Sequence, residues 1–127
     1  MNMKRLLTLS GLTAAAMTMA AAPMAFASGS VGNPTGGSAV QFESYGEHFT
    51  VYDTAPDGHS AVGDLYWRDG QGNWNHYDTL WNSKGSATSA TRNYNLPEDL
   101  TIAYRACIGE AGTGQVFKCG DWYVDKA

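Results

Sequence analysis

The segment from Asp53 to Asp64 holds the densest set of side chains that could do chemistry. Its carboxylates Asp53, Asp57 and Asp64 offer the oxygen ligands that Ca²⁺ prefers. Their spacing does not match an EF-hand loop, which needs acids at alternate positions. Asp57 followed by Gly58 is more typical of a turn in which the carboxylate binds its own backbone. We therefore expect no cofactor and no metal, and keep a Ca²⁺ site at these three residues as the alternative.

His59 and Ser60 lie two and three residues after Asp57, an arrangement that suggests a hydrolase. Neighbouring residues on an extended chain point to opposite faces, so the two cannot readily form a nucleophile and base pair. The chain also has no Gly-x-Ser-x-Gly motif. The sequence predicts no catalytic residue and favours a protein that is not an enzyme. A minimal extracellular hydrolase that uses Asp53, Asp57, His59 or Asp64 stays as an alternative.

Four tryptophans and seven tyrosines are more than a small domain can bury, because each ring takes up to ~250 Å². Trp74, Tyr77 and Trp81 are surrounded by Asn and His residues, a mixture typical of surfaces that bind sugars or protein partners. The predicted binding residues are Trp74, Tyr77, Trp81, Asn73 and Asn75. In the alternative interpretation Trp67 and Trp81 belong to the core and Trp74 covers a hairpin.

Cys107 and Cys119 are the only cysteines, and each lies six residues from Thr113. If residues 109–114 form a hairpin loop, this symmetry places the two cysteines opposite each other on paired strands. A disulfide between Cys107 and Cys119 is therefore expected. Closing a loop of this length stabilises a domain by about 3 kcal/mol on the chain-entropy model.

The elements that must position these residues are β-strands. β-Branched and aromatic residues dominate, Gly and Asp-Gly interrupt them at short intervals, and no segment has a sustained period of 3.6. Residues 100–108 show the clearest alternation, and in residues 60–68 Leu65 and Trp67 share one face while Val62, Asp64 and Tyr66 share the other. About seven short strands predict a compact antiparallel sandwich of immunoglobulin-like size, with a small closed β-barrel as the alternative. The Thr-rich residues 88–94 are expected at an edge.

The N-terminal 27 residues have the pattern of a signal peptide. Lys4 and Arg5 precede an apolar segment at 6–22, and Ala25-Phe26-Ala27 has the small residues that a signal peptidase accepts. We expect a secreted, extracellular protein, with an uncleaved anchor as the alternative. Residues 28–38 are rich in Gly and Ser and predict a flexible tail, and residues 39–127 predict a single β domain.

Charge bears on the expected partners. Residues 28–127 carry all twelve Asp and Glu but only six of the eight Lys and Arg, because Lys4 and Arg5 precede them. This acidic balance argues against nucleic acid and against an anionic membrane surface once the leader is removed. The expected partner is an extracellular protein or polysaccharide, and the oligomeric state stays open.

Several segments together resemble a known group of proteins. The sequences FTVYDT at 49–54, DGHSAV at 57–62 and YRAC at 104–107, with Cys119, resemble small secreted proteins of streptomycetes and related actinobacteria. The likeness covers most of residues 47–122 and implies export and a β domain, but it assigns no functional residues. We therefore predict a secreted, non-catalytic binding module or inhibitor that acts through exposed aromatic and loop residues. The alternatives are a minimal hydrolase and a structural cell-surface protein that associates through residues 88–94.

Overall fold

The computed structural model describes residues 28–127, so the predicted signal peptide over residues 1–27 lies outside the described residues. This part of the chain is all-β. Its nine strands are β1 (Ser28–Gly32), β2 (Ser38–Glu43), β3 (His48–Asp53), β4 (Ser60–Arg68), β5 (Trp74–Asn82), β6 (Thr88–Asn93), β7 (Thr101–Glu110), β8 (Gln115–Phe117) and β9 (Tyr123–Lys126). The predicted seven become nine because the last expected strand is divided into β8 and β9, and because β1 is added.

The strands form two antiparallel sheets that pack as a sandwich, as predicted, and not as a closed barrel. The first sheet has the order β9-β7-β4-β5, with β8 also paired to β7, and the second has the order β1-β2-β3-β6. The Thr-rich strand β6 is at an edge of the second sheet, as its composition predicted. Within residues 28–127, no helix has the length and hydropathy that a membrane span requires.

Strand β1 corrects the prediction of a flexible tail over residues 28–38. Ser28–Gly32 pairs with β2, from Ser28 opposite Glu43 to Gly32 opposite Ala39. A Cβ added at Gly29 would lie 2.5 Å from the Tyr123 ring and 2.6 Å from the Tyr104 hydroxyl. Glycine is therefore needed here for close packing, and the composition that suggested flexibility reflects a tight contact.

The core lies between the sheets and is built from the inward residues of both. Its largest fully buried side chains are Tyr104, Phe42, Phe49, Leu65, Ile102, Val40 and Val51, whereas Val62 is fully buried on the outer face of the first sheet. Gly63 on β4 permits close approach of the sheets, since a Cβ there would lie 2.6 Å from Val51 and 2.9 Å from Phe49. The alternation predicted for β4 is confirmed, because Leu65 faces the core and Asp64 and Tyr66 lie on the opposite face.

Asn82 at the end of β5 joins the two sheets through its buried amide. Its Nδ2 donates to the carbonyl oxygen of Val51 at 3.3 Å and to that of Thr88 at 3.1 Å. Its Oδ1 accepts from the backbone N–H of Lys84 at 3.0 Å. A buried polar side chain with these partners fixes the position of one sheet relative to the other.

The predicted disulfide between Cys107 and Cys119 is present. The hairpin is not symmetric about Thr113, however, since Ile108 pairs with Phe117 and the register would place residue 118 opposite Cys107. Lys118 adopts a left-handed conformation with φ of 50° and acts as an extra residue, as in a β-bulge. Pairing then resumes with the N–H of Gly120 donating to Ala106 at 2.9 Å.

Candidate functional site

The outer face of the first sheet points away from the core and has its side chains in rows across the strands, of which three surround the site. The register aligns Val124, Ala103, Tyr66 and His76, which we call the central row. Extending the β9–β7 pairing and the β4–β7 pairing by one residue pair each gives two more rows. The upper row contains Trp122, Arg105, Asp64 and Thr79, and the lower row contains Lys126, Thr101, Arg68 and Trp74. Neighbouring rows are about 6.6 Å apart, because two residues of a strand advance by that distance.

A groove of about 350 Å³ opens on this face. Its lining residues are Tyr66, Trp74, Ala103, Trp122 and Val124. Ala103 is small and buried and forms the floor, while Trp74 is 41% exposed, Trp122 43% and Val124 59%. We call this the aromatic groove. Its walls present apolar and aromatic surface to solvent, as ligand sites do.

Trp122 is held in place by Arg105 and Tyr66. The Cζ of Arg105 lies over the indole, 4.3 Å from the ring centre, and the Tyr66 ring meets it edge-on at 5.0 Å and 75°. Arg105 in turn donates through Nη2 and Nε to Oδ2 of Asp64, at 3.1 and 3.3 Å. Because Asp64 is only 8% exposed, this ion pair is shielded from solvent and supports one wall of the groove.

His76 connects the ion pair to Tyr66. The hydroxyl of Thr79 donates to Oδ1 of Asp64 at 2.7 Å, and Nε2 of His76 lies 2.8 Å from the same hydroxyl. A hydroxyl has one proton to give, so His76 must donate through Nε2. The His76 ring then contacts Tyr66 edge-on at 5.2 Å. One hydrogen-bonded chain therefore orients both Trp122 and Tyr66.

Trp74 is positioned by the hairpin loop before β5. Oδ1 of Asp69 accepts from the backbone N–H groups of Gln71 and Asn73, both at 2.9 Å, and Oδ2 accepts from Nδ2 of Asn75 at 3.1 Å. These hydrogen bonds, with the one from the Asn73 backbone first, lower the pKa of Asp69. Asn73 and Asn75 thus order the loop that carries Trp74 to the groove.

The structure does not bring the other two predicted aromatic residues to Trp74. Tyr77 is the unpaired residue of a bulge in β5, and its ring contacts Tyr94 at 5.1 Å, beside the second sheet. Trp81 is on the outer face but pairs with Val62, six residues of β4 away from the Arg68 that pairs with Trp74, which places the two tryptophans about 20 Å apart along the strand. Tyr66 and Trp122, which the sequence did not suggest for this site, take their place.

A second cavity, of about 370 Å³, lies among the loops and includes His59 and Ser60 in its lining. Nδ1 of His59 is 3.0 Å from Oε1 of Glu110, whereas Oγ of Ser60 is 2.9 Å from Oγ of Ser83. Within the described part of the chain, no hydrogen bond joins His59 to Ser60. The two side chains therefore point to different partners, as the strand geometry predicted.

The three candidate calcium ligands do not converge on one point, because Asp53 and Asp57 line the second cavity whereas Asp64 lies on the outer face of the first sheet. Asp57 accepts from the backbone N–H of His59 at 3.0 Å, in the turn that its sequence predicted. Asp53 is buried and accepts from the N–H of Ala55 at 3.3 Å, while Asp64 is bound to Arg105 on the outer face. Among residues 28–127, no three His, Cys, Asp or Glu side chains are grouped so that they could hold a metal ion.

Two further acids lie on the inward side of the first sheet. Oδ2 of Asp125 accepts from the Tyr104 hydroxyl at 2.9 Å, and burial raises the pKa of both groups. Burial acts in the same direction on Asp78, but hydrogen bonds from Tyr94 and Arg92 outweigh it and lower the pKa of that carboxyl. Neither acid lines the aromatic groove.

The fold and the groove define a class of protein, a disulfide-bonded β-sandwich with a concave aromatic site on one sheet. No family model, curated protein or solved structure matches the chain. The resemblance to small secreted actinobacterial proteins therefore stays a prediction.

Proposed function

We propose that this chain is a secreted binding module whose ligand occupies the aromatic groove. The observation that carries the proposal is the pair of exposed rings, Trp74 and Trp122, on either side of the small buried Ala103. A concave apolar site with a few polar atoms at its walls is the usual form of a ligand site.

Preorganisation of the walls also favours binding. Trp122 is fixed by Arg105 and Tyr66, and Trp74 follows an ordered hairpin loop and has Arg68 5.6 Å from its ring centre. Side chains that are already held in one conformation lose little entropy when a ligand arrives. The leader pattern and the disulfide support export, so we propose an extracellular protein or polysaccharide as the partner.

The test is a pull-down of the oxidised, exported protein against insoluble polysaccharides, cell-wall material and secreted proteases. We expect a specific partner that the wild type retains and that Trp122→Ala loses at least tenfold. Tyr52→Ala is the matched control, because Tyr52 is an exposed aromatic residue on the second sheet. A partner retained equally by Trp122→Ala, or no partner at all, would count against the proposal.

A further inference from the structure

We infer that the ligand of the aromatic groove is an extended peptide segment in which a proline lies between two acidic residues, spaced as acidic-x-Pro-x-acidic. The inference rests on the proposed function, because it names the class of ligand for the same groove. Three properties of the outer face carry it, namely its hydrogen-bonding groups, its charge and the spacing of its cations.

The groove offers hydrogen-bond donors and almost no acceptors. The polar side-chain atoms of its lining are the hydroxyl of Tyr66 and the indole N–H groups of Trp74 and Trp122. Among residues 28–127 none of the three has a hydrogen-bond partner. An indole only donates. The fitting ligand therefore presents apolar surface and carbonyl oxygens but few N–H groups.

Proline meets this requirement, since it has a flat apolar ring, a carbonyl oxygen and no N–H. Aromatic grooves are a recurring mode for binding proline-containing segments. A sugar hydroxyl can also accept from an indole N–H. The choice of a peptide over a polysaccharide therefore rests on the charge of the outer face and the spacing of its cations.

The charge of the outer face is opposite to that of the protein. The outward positions of β4, β5, β7 and β9 carry three cations, Arg68, Arg105 and Lys126, and one carboxylate, Asp64, which is buried against Arg105. Within the described chain neither Arg68 nor Lys126 forms an ion pair with a carboxylate. Residues 28–127 nevertheless contain twice as many acidic as basic residues. Charge complementarity therefore selects an acidic ligand.

The spacing of the cations matches an extended chain. Arg68 and Lys126 are in the lower row, and the groove floor at Ala103 separates them from Arg105 in the upper row. Arg105 is already paired with Asp64 through Nε and Nη2, so it offers the ligand a hydrogen bond from Nη1, which has no partner among residues 28–127. The outer rows are about 13 Å apart, because they are separated by four residues of strand. A peptide in extended conformation has nearly the same rise per residue. Acidic residues at positions i and i+4 then reach both rows, and residue i+2 lies over the floor.

The test measures the affinity of labelled peptides for the oxidised, exported protein by fluorescence anisotropy at low and moderate salt. The probe contains Glu-Ser-Pro-Ser-Glu, and its controls replace both Glu by Lys, or Pro by Ala, or remove the two Ser. We expect the acidic proline peptide to bind at least tenfold more tightly than each control. The preference over the Lys peptide should shrink as salt rises.

Variants locate the contacts. Arg68→Gln and Lys126→Gln should each weaken binding of the acidic peptide about threefold, the size expected for an exposed charge pair. Lys84→Gln is the matched control and should change nothing, because Lys84 lies in the loop after β5, away from the groove. Ala103→Met should abolish binding by filling the floor, and circular dichroism of each variant verifies its fold.

The outcomes separate the inference from the proposed function. Equal affinity for the acidic and Lys peptides, or an effect of Lys84→Gln as large as that of Arg68→Gln, overturns the inference. If an anionic polysaccharide binds in a Trp122-dependent manner and no peptide does, the binding module stands and the peptide ligand is wrong. If neither binds, both proposals fail.

Discussion

The ion pair between Asp64 and Arg105 should contribute strongly to stability, because the Asp64 carboxylate is mostly shielded from solvent. The same pair holds Trp122 at the wall of the groove. Asp64→Asn keeps the size of the side chain and an acceptor for the Thr79 hydroxyl, but removes the charge that faces Arg105. We expect this variant to lower the free energy of unfolding by about 2 kcal/mol, the usual range for a charge-assisted hydrogen bond whose partner is left behind.

The magnitude follows from distance and exposure. At 3.1 Å between Nη2 and Oδ2, two unit charges attract by about 5 kcal/mol at an effective dielectric constant of about 20. The Asp64 side chain is 11% exposed and that of Arg105 29%, so the carboxylate is mostly desolvated while the guanidinium keeps some water. Desolvation therefore offsets more than half of the attraction, which leaves a net value of about 2 kcal/mol.

A double-mutant cycle isolates the pair. Urea unfolding of the wild type, Asp64→Asn, Arg105→Gln and the double variant should give a coupling energy of about 1.5 kcal/mol, and Asp64→Asn should lower the Tm by roughly 8–16 °C. The exposed pair of Glu43 and His48 is the control, and Glu43→Gln should cost under about 0.5 kcal/mol. A coupling energy below about 0.5 kcal/mol would refute the reasoning, since no separate interaction between the two residues would remain.

Three further changes should alter stability. Replacing Cys107 and Cys119 together by Ser should cost about 3 kcal/mol in urea unfolding, because a loop of twelve residues is no longer closed, and an unchanged midpoint would contradict this. Asn82→Leu should cost about 2–3 kcal/mol by leaving buried carbonyl oxygens without a donor, and equal stability would show that the amide contributes nothing. Burial raises the pKa of Asp125 above 3.8, so stability should be lost as pH rises through that raised pKa. Asp125→Asn retains an acceptor for Tyr104 and removes this loss, so the Tm of the variant relative to wild type should rise between pH 3 and pH 7; a constant difference would exclude the effect.

The alternation of inward and outward residue types along the sequence predicts most strands of the first sheet. In β4 and β7 the large apolar residues Leu65, Trp67, Ile102, Tyr104 and Ile108 all face inward, while most outward residues are small or polar, so the period of two is apparent in the sequence. Strand β1 has no such signal. It packs through Gly29 against Tyr104 and Tyr123, and that close approach depends on residues more than seventy positions away. Composition alone therefore indicates a tail where the structure has a strand.

The residues of the aromatic groove could be predicted only in part, because their positions depend on irregularities in the strand pairing. Trp74 and Trp81 are an odd number of residues apart, which in a regular strand would place them on opposite faces, and the bulge at Tyr77 restores them to one face. The position of Trp122 beside Arg105 also depends on an irregularity, because continuing the β8 pairing would place Asp121 opposite Tyr104, where the structure has Tyr123. Neither irregularity has a signature in the sequence.

The two outer faces of the sandwich differ in the kinds of side chain that they expose. On the second sheet the outward side chains are polar and bind each other, with Thr50 and Thr91 2.9 Å apart and the Tyr52 hydroxyl donating to Gln41 at 2.8 Å. The same chain thus builds one solvated sheet face from residues that are mostly polar, the ordinary arrangement for an antiparallel sheet. The core lies between the sheets and gains little from rings that remain about two-fifths exposed, such as that of Trp122. Core packing does not account for the exposed rings of the aromatic groove, which is why we propose a ligand for them.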